Sequence, residues 1–158
     1  MIIKNHSHSP YHLQLESLVG RASQQKIEKP LYQERSGYFG ERALDYPLKK
    51  VQFPHFTTHH VRLENDQIGF QMDSVLWTPR YDLIIEAKDY TGHLTFNEGF
   101  NQIIQRKLVA GKEEINVYDD PVLQVEEQKL QLELWLEAEG QFFPPIETLV
   151  VMTNPRAY

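Results

Sequence analysis

The stretch Gln71-Met72-Asp73-Ser74-Val75-Leu76-Trp77-Thr78-Pro79-Arg80-Tyr81-Asp82-Leu83-Ile84-Ile85-Glu86-Ala87-Lys88 governs the reading of the whole chain. Its apolar runs, Val75-Leu76-Trp77 and Leu83-Ile84-Ile85, are continuous, as expected of strands covered on both faces. Pro79-Arg80 is the turn between them. Side chains alternate along a strand, so Glu86 and Lys88 share one face. Paired as a hairpin, the first strand brings Asp73 to the same spot. Two carboxylates and an ammonium gathered there suit Mg²⁺ binding and activation of a water against a phosphate. The same spacing is open to a plainer reading, a solvent-facing Glu86–Lys88 ion pair. Position weighs against it, because charge at the end of a covered strand is costly unless paired.

Outward from this centre, 68–78 and 81–90 read as the two central strands. Phe56 to Leu63 reads as an edge strand, with turn residues Asn65, Asp66 and Gly69 behind it. Residues 92–96 make a short further strand. Residues 97–119 lack a clear period and are expected to be loop, with room for a short helix or hairpin. Asp120-Pro121 is a helix start, an N-cap acid before proline, and the helix should reach about Ala138 and stop at Gly140. Pro144-Pro145 break the chain before a last strand, 147–153. That strand follows a crossover helix, so it is expected to run parallel to a neighbour.

At the other end, Ser9-Pro10 opens a helix expected over 10–25, with Leu15, Leu18, Val19 and Ala22 as its apolar stripe. Residues 23–29 are polar and read as a connector. Pro30 opens a second helical segment to about Leu48, with Leu31, Tyr38, Ala43 and Leu44 as core candidates. Gly37 and Gly40 weaken that helix by roughly 1 kcal/mol each relative to alanine. They also admit close packing against a neighbour or a substrate backbone. The element order predicts an α/β architecture, helices flanking a mixed sheet.

A chain of 158 residues fits one core. Its 41% apolar and 24% charged residues are ordinary for a globular protein. No apolar run is long enough to span a membrane. Met1-Ile2-Ile3-Lys4-Asn5-His6 lacks the pattern of a signal peptide, so a cytoplasmic location is expected. The absence of cysteine excludes a disulfide scaffold and a thiolate zinc site. The net charge of −6 opposes the basic footprint usual in nucleic-acid binders. Setting aside Glu41, Asp73 and Glu86 still leaves an acidic excess. Contact with nucleic acid therefore has to come from a local patch, a bound metal or parts of a longer protein.

Three further groups of residues invite a chemical reading. Glu41 follows Gly37-Tyr38-Phe39-Gly40 on the second helix, where a glutamate is ordinarily just solvated. Gln124, Gln128, Gln131 and Trp135 fall on one face of the helix that starts at Pro121. Near-buried amides need partners. A phosphate oxygen, a metal-bound water or the sheet's own backbone all qualify. Seven histidines are present, none in a His-x-x-x-His pattern with an adjacent glutamate, and His6 and His8 read as surface residues.

Five blocks in fixed order then resemble a known family. They are Gly37-Tyr38-Phe39-Gly40-Glu41, Phe70-Gln71-Met72-Asp73-Ser74-Val75-Leu76, Ile85-Glu86-Ala87-Lys88-Asp89-Tyr90-Thr91-Gly92, Asp120-Pro121-Val122-Leu123-Gln124 and Val150-Val151-Met152-Thr153-Asn154-Pro155-Arg156-Ala157. Together, over about 37–158, they resemble the NERD family, the nuclease-related domain, assigned to the PD-(D/E)xK nucleases. Archaeal Holliday-junction resolvases and Mrr-like restriction enzymes are similar to it. The resemblance implies a restriction-endonuclease-like central mixed sheet, with residues 1–29 as an added helical segment and 30–158 as the nuclease-like domain. Two departures stand out. Asp89 stands where many members carry asparagine, and relatives usually continue beyond the Thr153-Asn154-Pro155-Arg156 block.

Carried over by position, the resemblance makes Asp73, Glu86, the Ala87 carbonyl and Glu41 the ligands of Mg²⁺ or Mn²⁺. Lys88 stabilises charge or orients water, and Gln124 positions phosphate or water. The implied activity is metal-dependent hydrolysis of phosphodiester bonds in nucleic acid, DNA first. Resolvase-type relatives imply a homodimer. The rival expectation is a binding module of a larger DNA-processing protein that keeps the fold without useful turnover.

Overall fold

The computed structural model describes residues 1–158. In chain order the elements are β1 (Ile2–Lys4), α1 (Pro10–Leu18), α2 (Gln24–Arg42), α3 (Asp45–Lys49), β2 (Phe56–Asn65), β3 (Ile68–Trp77), β4 (Asp82–Lys88), β5 (His93–Asn97), β6 (Gln102–Val109), β7 (Lys112–Asp119), α4 (Pro121–Ala138) and β8 (Ile146–Met152). Five strands form the main sheet in the order β1-β2-β3-β4-β8. Its centre, β2-β3-β4, is antiparallel, and both outer strands pair in parallel. The expected mixed α/β sheet with flanking helices is therefore present. The parallel pairing of the last strand holds as well, with α4 as the crossover.

The β2–β3 hairpin closes through Asp66-Gln67, both left-handed at φ 46° and 69°. Positive φ at both central residues is the twist-matched two-residue turn. It pairs Asn65 with Ile68 and so fixes the register of everything behind it. β2 is not the edge strand that its sequence suggests, because the segment after Met1 pairs outside it.

Met72, Val75, Ile84 and Ile146 from the sheet pack with Val125, Leu132 and Leu136 of α4. The inner stripe of α4 is Pro121, Val125, Gln128, Leu132 and Leu136. Among the glutamines of α4 only Gln128 is buried, and Gln124 flanks the stripe. Asp120 caps this helix as expected, accepting from the Val122 N–H at 2.9 Å.

The first helix ends earlier than its polar tail suggests. Gly20 adopts φ 75° just past Leu18, the conformation that stops a helix. α2 then begins at Gln24 and runs straight through Pro30. A proline inside a helix removes a hydrogen bond and costs about 3 kcal/mol. Ile27 and Leu31, one turn apart around Pro30, offset it by packing on Leu15 in a separate small core. Leu18 and Val19, expected in the stripe, are exposed.

Residues 97–119 hold the larger surprise. They supply most of a second, three-stranded antiparallel sheet, β5-β6-β7. Ala110-Gly111, at φ 51° and 79°, turn β6 into β7. The segment hides its period because Leu108, Val109, Ile115 and Val117 point to solvent while Ile103 and Gln105 point inward.

Candidate functional site

The main sheet opens around Asp73. The β3–β4 ladder runs from Trp77 opposite Asp82 to Ser74 opposite Ile85, and ends there although both strands continue. Asp73 and Glu86 are the next residues, at the mouth of the notch. Ala87 N–H, without a β3 carbonyl, donates to Asp73 Oδ2 at 3.1 Å. On the other side, His59 pairs with Ser74 and Val61 with Met72, but His60, which stands opposite Asp73, drops out of the ladder. His60 adopts φ 50°, which costs a non-glycine residue about 1–2 kcal/mol. Three contacts offset that strain. Its Nε2 meets Glu41 Oε2, its Nδ1 accepts from Ser7 N–H at 3.3 Å, and its carbonyl accepts from Lys4 Nζ.

Glu86 is 2% exposed and fully paired. Its Oε1 accepts from Lys88 Nζ and from Gln124 Nε2, both at 2.7 Å, and its Oε2 accepts from Gln128 Nε2 at 3.0 Å. Lys88 Nζ also donates to Gln124 Oε1 at 2.9 Å, closing a three-membered ring of side chains. The Glu86–Lys88 ion pair therefore exists, but with a buried carboxylate and a half-buried ammonium rather than on the open surface. The α4 amides partner this carboxylate and not the sheet backbone. Gln131 lies apart and accepts from Asn65 Nδ2 at 2.9 Å.

Burial pushes the Asp73 carboxyl up to about 7, helped by the nearby negative charges of Glu86 and Glu41. For Glu41, burial works in the same direction, but the imidazoles of His6 and His60 overcome it and hold the carboxyl at about 2. The hydrogen bond to Glu41 raises His60 in turn. Near neutral pH the Asp73 carboxyl thus titrates among crowded carboxylates, a crowding that a divalent cation would relieve. The donors at its mouth are oxygens, which suits a hard cation such as Mg²⁺ or Mn²⁺.

A cleft of about 860 Å³ is lined by Glu41, Asp73, Glu86, Ala87 and Lys88. Lys29, Lys107 and Arg156 line it too, beside Asp89 and Glu114, so cations and carboxylates are interspersed there. Tyr90 stacks on Tyr118 in its wall, ring centroids 4.5 Å apart. Asp89 is held by Ser36 Oγ at 2.6 Å and Asn154 Nδ2 at 2.8 Å, tying α2 and the segment after β8 to the end of β4. Gly40 makes that junction possible, since a Cβ there would sit 2.8 Å from Asp89 Cβ. Gly37 faces open space and has no such packing role.

Asp73, Glu86, Lys88 and Gln124 therefore come together. Glu41 lines the same cleft, yet its carboxylate converges with His6 and His60 rather than with the other two acids. The histidines are where sequence reasoning falls short. His6 is not a surface residue: its side chain is 7% exposed and its ring stacks on His59 at 3.8 Å. The Asp66-Gln67 turn, once recognised, places His60 opposite Asp73 by register alone. No local pattern announces His6, which reaches the cluster from the far end of the chain.

The family model of the nuclease-related domain, NERD, matches residues 36–153, well over half of the chain. Searches of curated proteins and of solved structures return no match.

Proposed function

We propose that this chain, which belongs to the nuclease-related domain family, is a metal-dependent phosphodiesterase acting on nucleic acid, DNA in the first place. The observation that carries the reading is the opening of the sheet at Asp73. There an ionisable carboxylate, a paired Glu86 and an ammonium share one end of the cleft. Asp73 and Glu86 would hold Mg²⁺ or Mn²⁺ together with the Ala87 carbonyl. An extended residue turns its N–H and C=O to the same strand edge, and the Ala87 N–H already faces Asp73. Glu41 would join directly or through water. The bound cation supplies Lewis acidity and a more acidic water.

The protein side chains do the rest. Lys88 places a positive charge where negative charge grows on the phosphate. Gln124 holds that ammonium beside Glu86, which limits its rotation. Lys29, Lys107 and Arg156 offer phosphate contacts along the cleft. The rival reading is a module that binds nucleic acid without turnover. The pairing of Glu41 with His60, which occupies one of its carboxylate oxygens, favours that rival.

The test is cleavage of duplex, single-stranded and branched DNA and of RNA, with Mg²⁺ or Mn²⁺ and after chelation. Asp73→Ala and Lys88→Ala serve as controls. Cleavage that needs the metal and fails in both variants supports the enzyme. Equal activity in wild type and both variants rejects this site. Binding without cleavage selects the rival.

A further inference from the structure

We infer that His6, Asp45 and His59 form a second metal site, separate from the notch at Asp73 and suited to Zn²⁺ or a similar transition ion. His6 Nε2 lies 2.9 Å from Asp45 Oδ1, and His59 Nε2 lies 3.8 Å from the same oxygen. All three ligand atoms fall within 4.8 Å of one another. An ion bonded at Zn²⁺ lengths in tetrahedral geometry sets its ligands about 3.4 Å apart. The two distances straddle that value, and the stacked His6 and His59 rings, 3.8 Å apart, would splay to receive the ion. Two imidazoles and one carboxylate are a zinc-type donor set, whereas Mg²⁺ takes oxygens and keeps its waters.

The unpaired nitrogen of His59 is the independent observation. This residue is 1% exposed, and its Nε2 has no hydrogen-bond partner. Its Nδ1 is taken by Ser74 Oγ at 2.8 Å. If Nδ1–H donates to Ser74, Nε2 turns a bare lone pair toward the Asp45 carboxylate, an arrangement that calls for a cation between them. If Nε2 carries the proton instead, 3.8 Å is too long for a hydrogen bond. Either tautomer leaves a buried polar atom unsatisfied, which is costly. A bound ion satisfies it.

The surroundings of His59 match what an imidazole ligand needs. A metal-ligating histidine ordinarily directs its second nitrogen to an oxygen that fixes the ring. Ser74 does this for His59, whereas His6 Nδ1 is unpaired, with the Glu41 carboxylate 3.8 Å away. A cleft of about 420 Å³ borders Asp45 and His59, which leaves room for water as a fourth ligand. The three ligands come from the segment after β1, the start of α3 and the middle of β2. An ion there staples the N-terminal segment to the main sheet and fixes the corner below Glu41. The inference does not rest on the phosphodiesterase reading.

The experiment is calorimetric titration of the chelator-stripped full chain with Zn²⁺ in excess Mg²⁺, repeated with Co²⁺ and read by its visible d–d absorption. A single imidazole-type site is expected. His6→Gln and Asp45→Asn, both at partly exposed residues, should each weaken Zn²⁺ binding about tenfold or more, and Ser74→Ala should weaken it to a lesser degree. Asp73→Asn, which disables the notch, should leave it intact. Circular dichroism verifies that each variant is folded. The site is refuted if folded wild type binds no Zn²⁺, if both ligand variants bind as wild type does, or if Asp73→Asn removes the binding.

Discussion

Two clusters of polar side chains lie either side of Glu41, and they are built by opposite means. The notch is made of carboxylates, amides and one ammonium, on strands that part company after Ser74 and Ile85. The other is made of imidazoles around Asp45, brought together by a strained residue and a segment from the far end of the chain. In the notch both Glu86 oxygens are paired, although Gln128 Oε1 has no partner. In the imidazole cluster two buried ring nitrogens, on His6 and His59, have no partner. The contrast is between a site whose central carboxylate is paired and one whose ring nitrogens are not. On the two proposals above, a cation would displace a proton in the first and complete the bonding of the second.

The largest expected effect separates the two clusters functionally. Lys88→Ala should lower metal-dependent cleavage by about 100-fold or more while keeping Zn²⁺ affinity. Loss of both properties in that one variant would mean that the clusters are a single site.

Next in size is the buried pairing itself. Gln128→Ala removes a donor from the buried Glu86 carboxylate, and a hydrogen bond to a charged group contributes about 1.5–3 kcal/mol. Urea unfolding should register that loss, and an unchanged midpoint would show that Glu86 does not depend on Gln128.

The pH dependence of stability follows from Asp73. Its carboxyl is raised from 3.8 to about 7 in the folded chain, so the folded state binds more protons between those values. Metal-free stability should therefore be fullest below pH 3.8, as far as this group is concerned, and fall as pH rises toward 7. Each unit of such a shift corresponds to about 1.4 kcal/mol before solvent screening reduces it. Asp73→Asn should flatten that decline. An identical pH profile in the variant would assign the titration elsewhere.

The smallest effect contrasts two glycines on one helix. Gly40→Ala crowds Asp89 and should cost about 1–3 kcal/mol. Gly37→Ala meets nothing and should gain up to about 1 kcal/mol from helix propensity. Equal thermal shifts would deny that α2 is pressed against the end of β4.

The comparison also marks how far the sequence could be read. Asp73, Glu86 and Lys88 sit on adjacent strands with period-two spacing, so local rules are enough to gather them. Gln124 needed the family resemblance for its role, although its helix face was visible. The imidazole cluster was out of reach, because His6 and His59 meet only after β1 has paired with β2. A left-handed His60 inside a strand breaks the alternation that strand reading relies on. Pro30 misled for a related reason: packing around Leu15 overrides a local helix breaker, and no window of sequence contains both. Of the second sheet, β5 is legible at 92–96, whereas β6 and β7 stay among the options for 97–119 because exposed Leu108, Val109, Ile115 and Val117 blur the alternation.

The Ala87 amide gives the molecule a reporter of its own. It is tied to a titrating carboxylate instead of a neighbouring strand, so its rate of deuterium uptake should track whatever Asp73 is doing. An occupant that draws the carboxylate away frees that amide, and one that stiffens the strands protects it. Occupancy can then be followed at one backbone position without substrate, label or turnover.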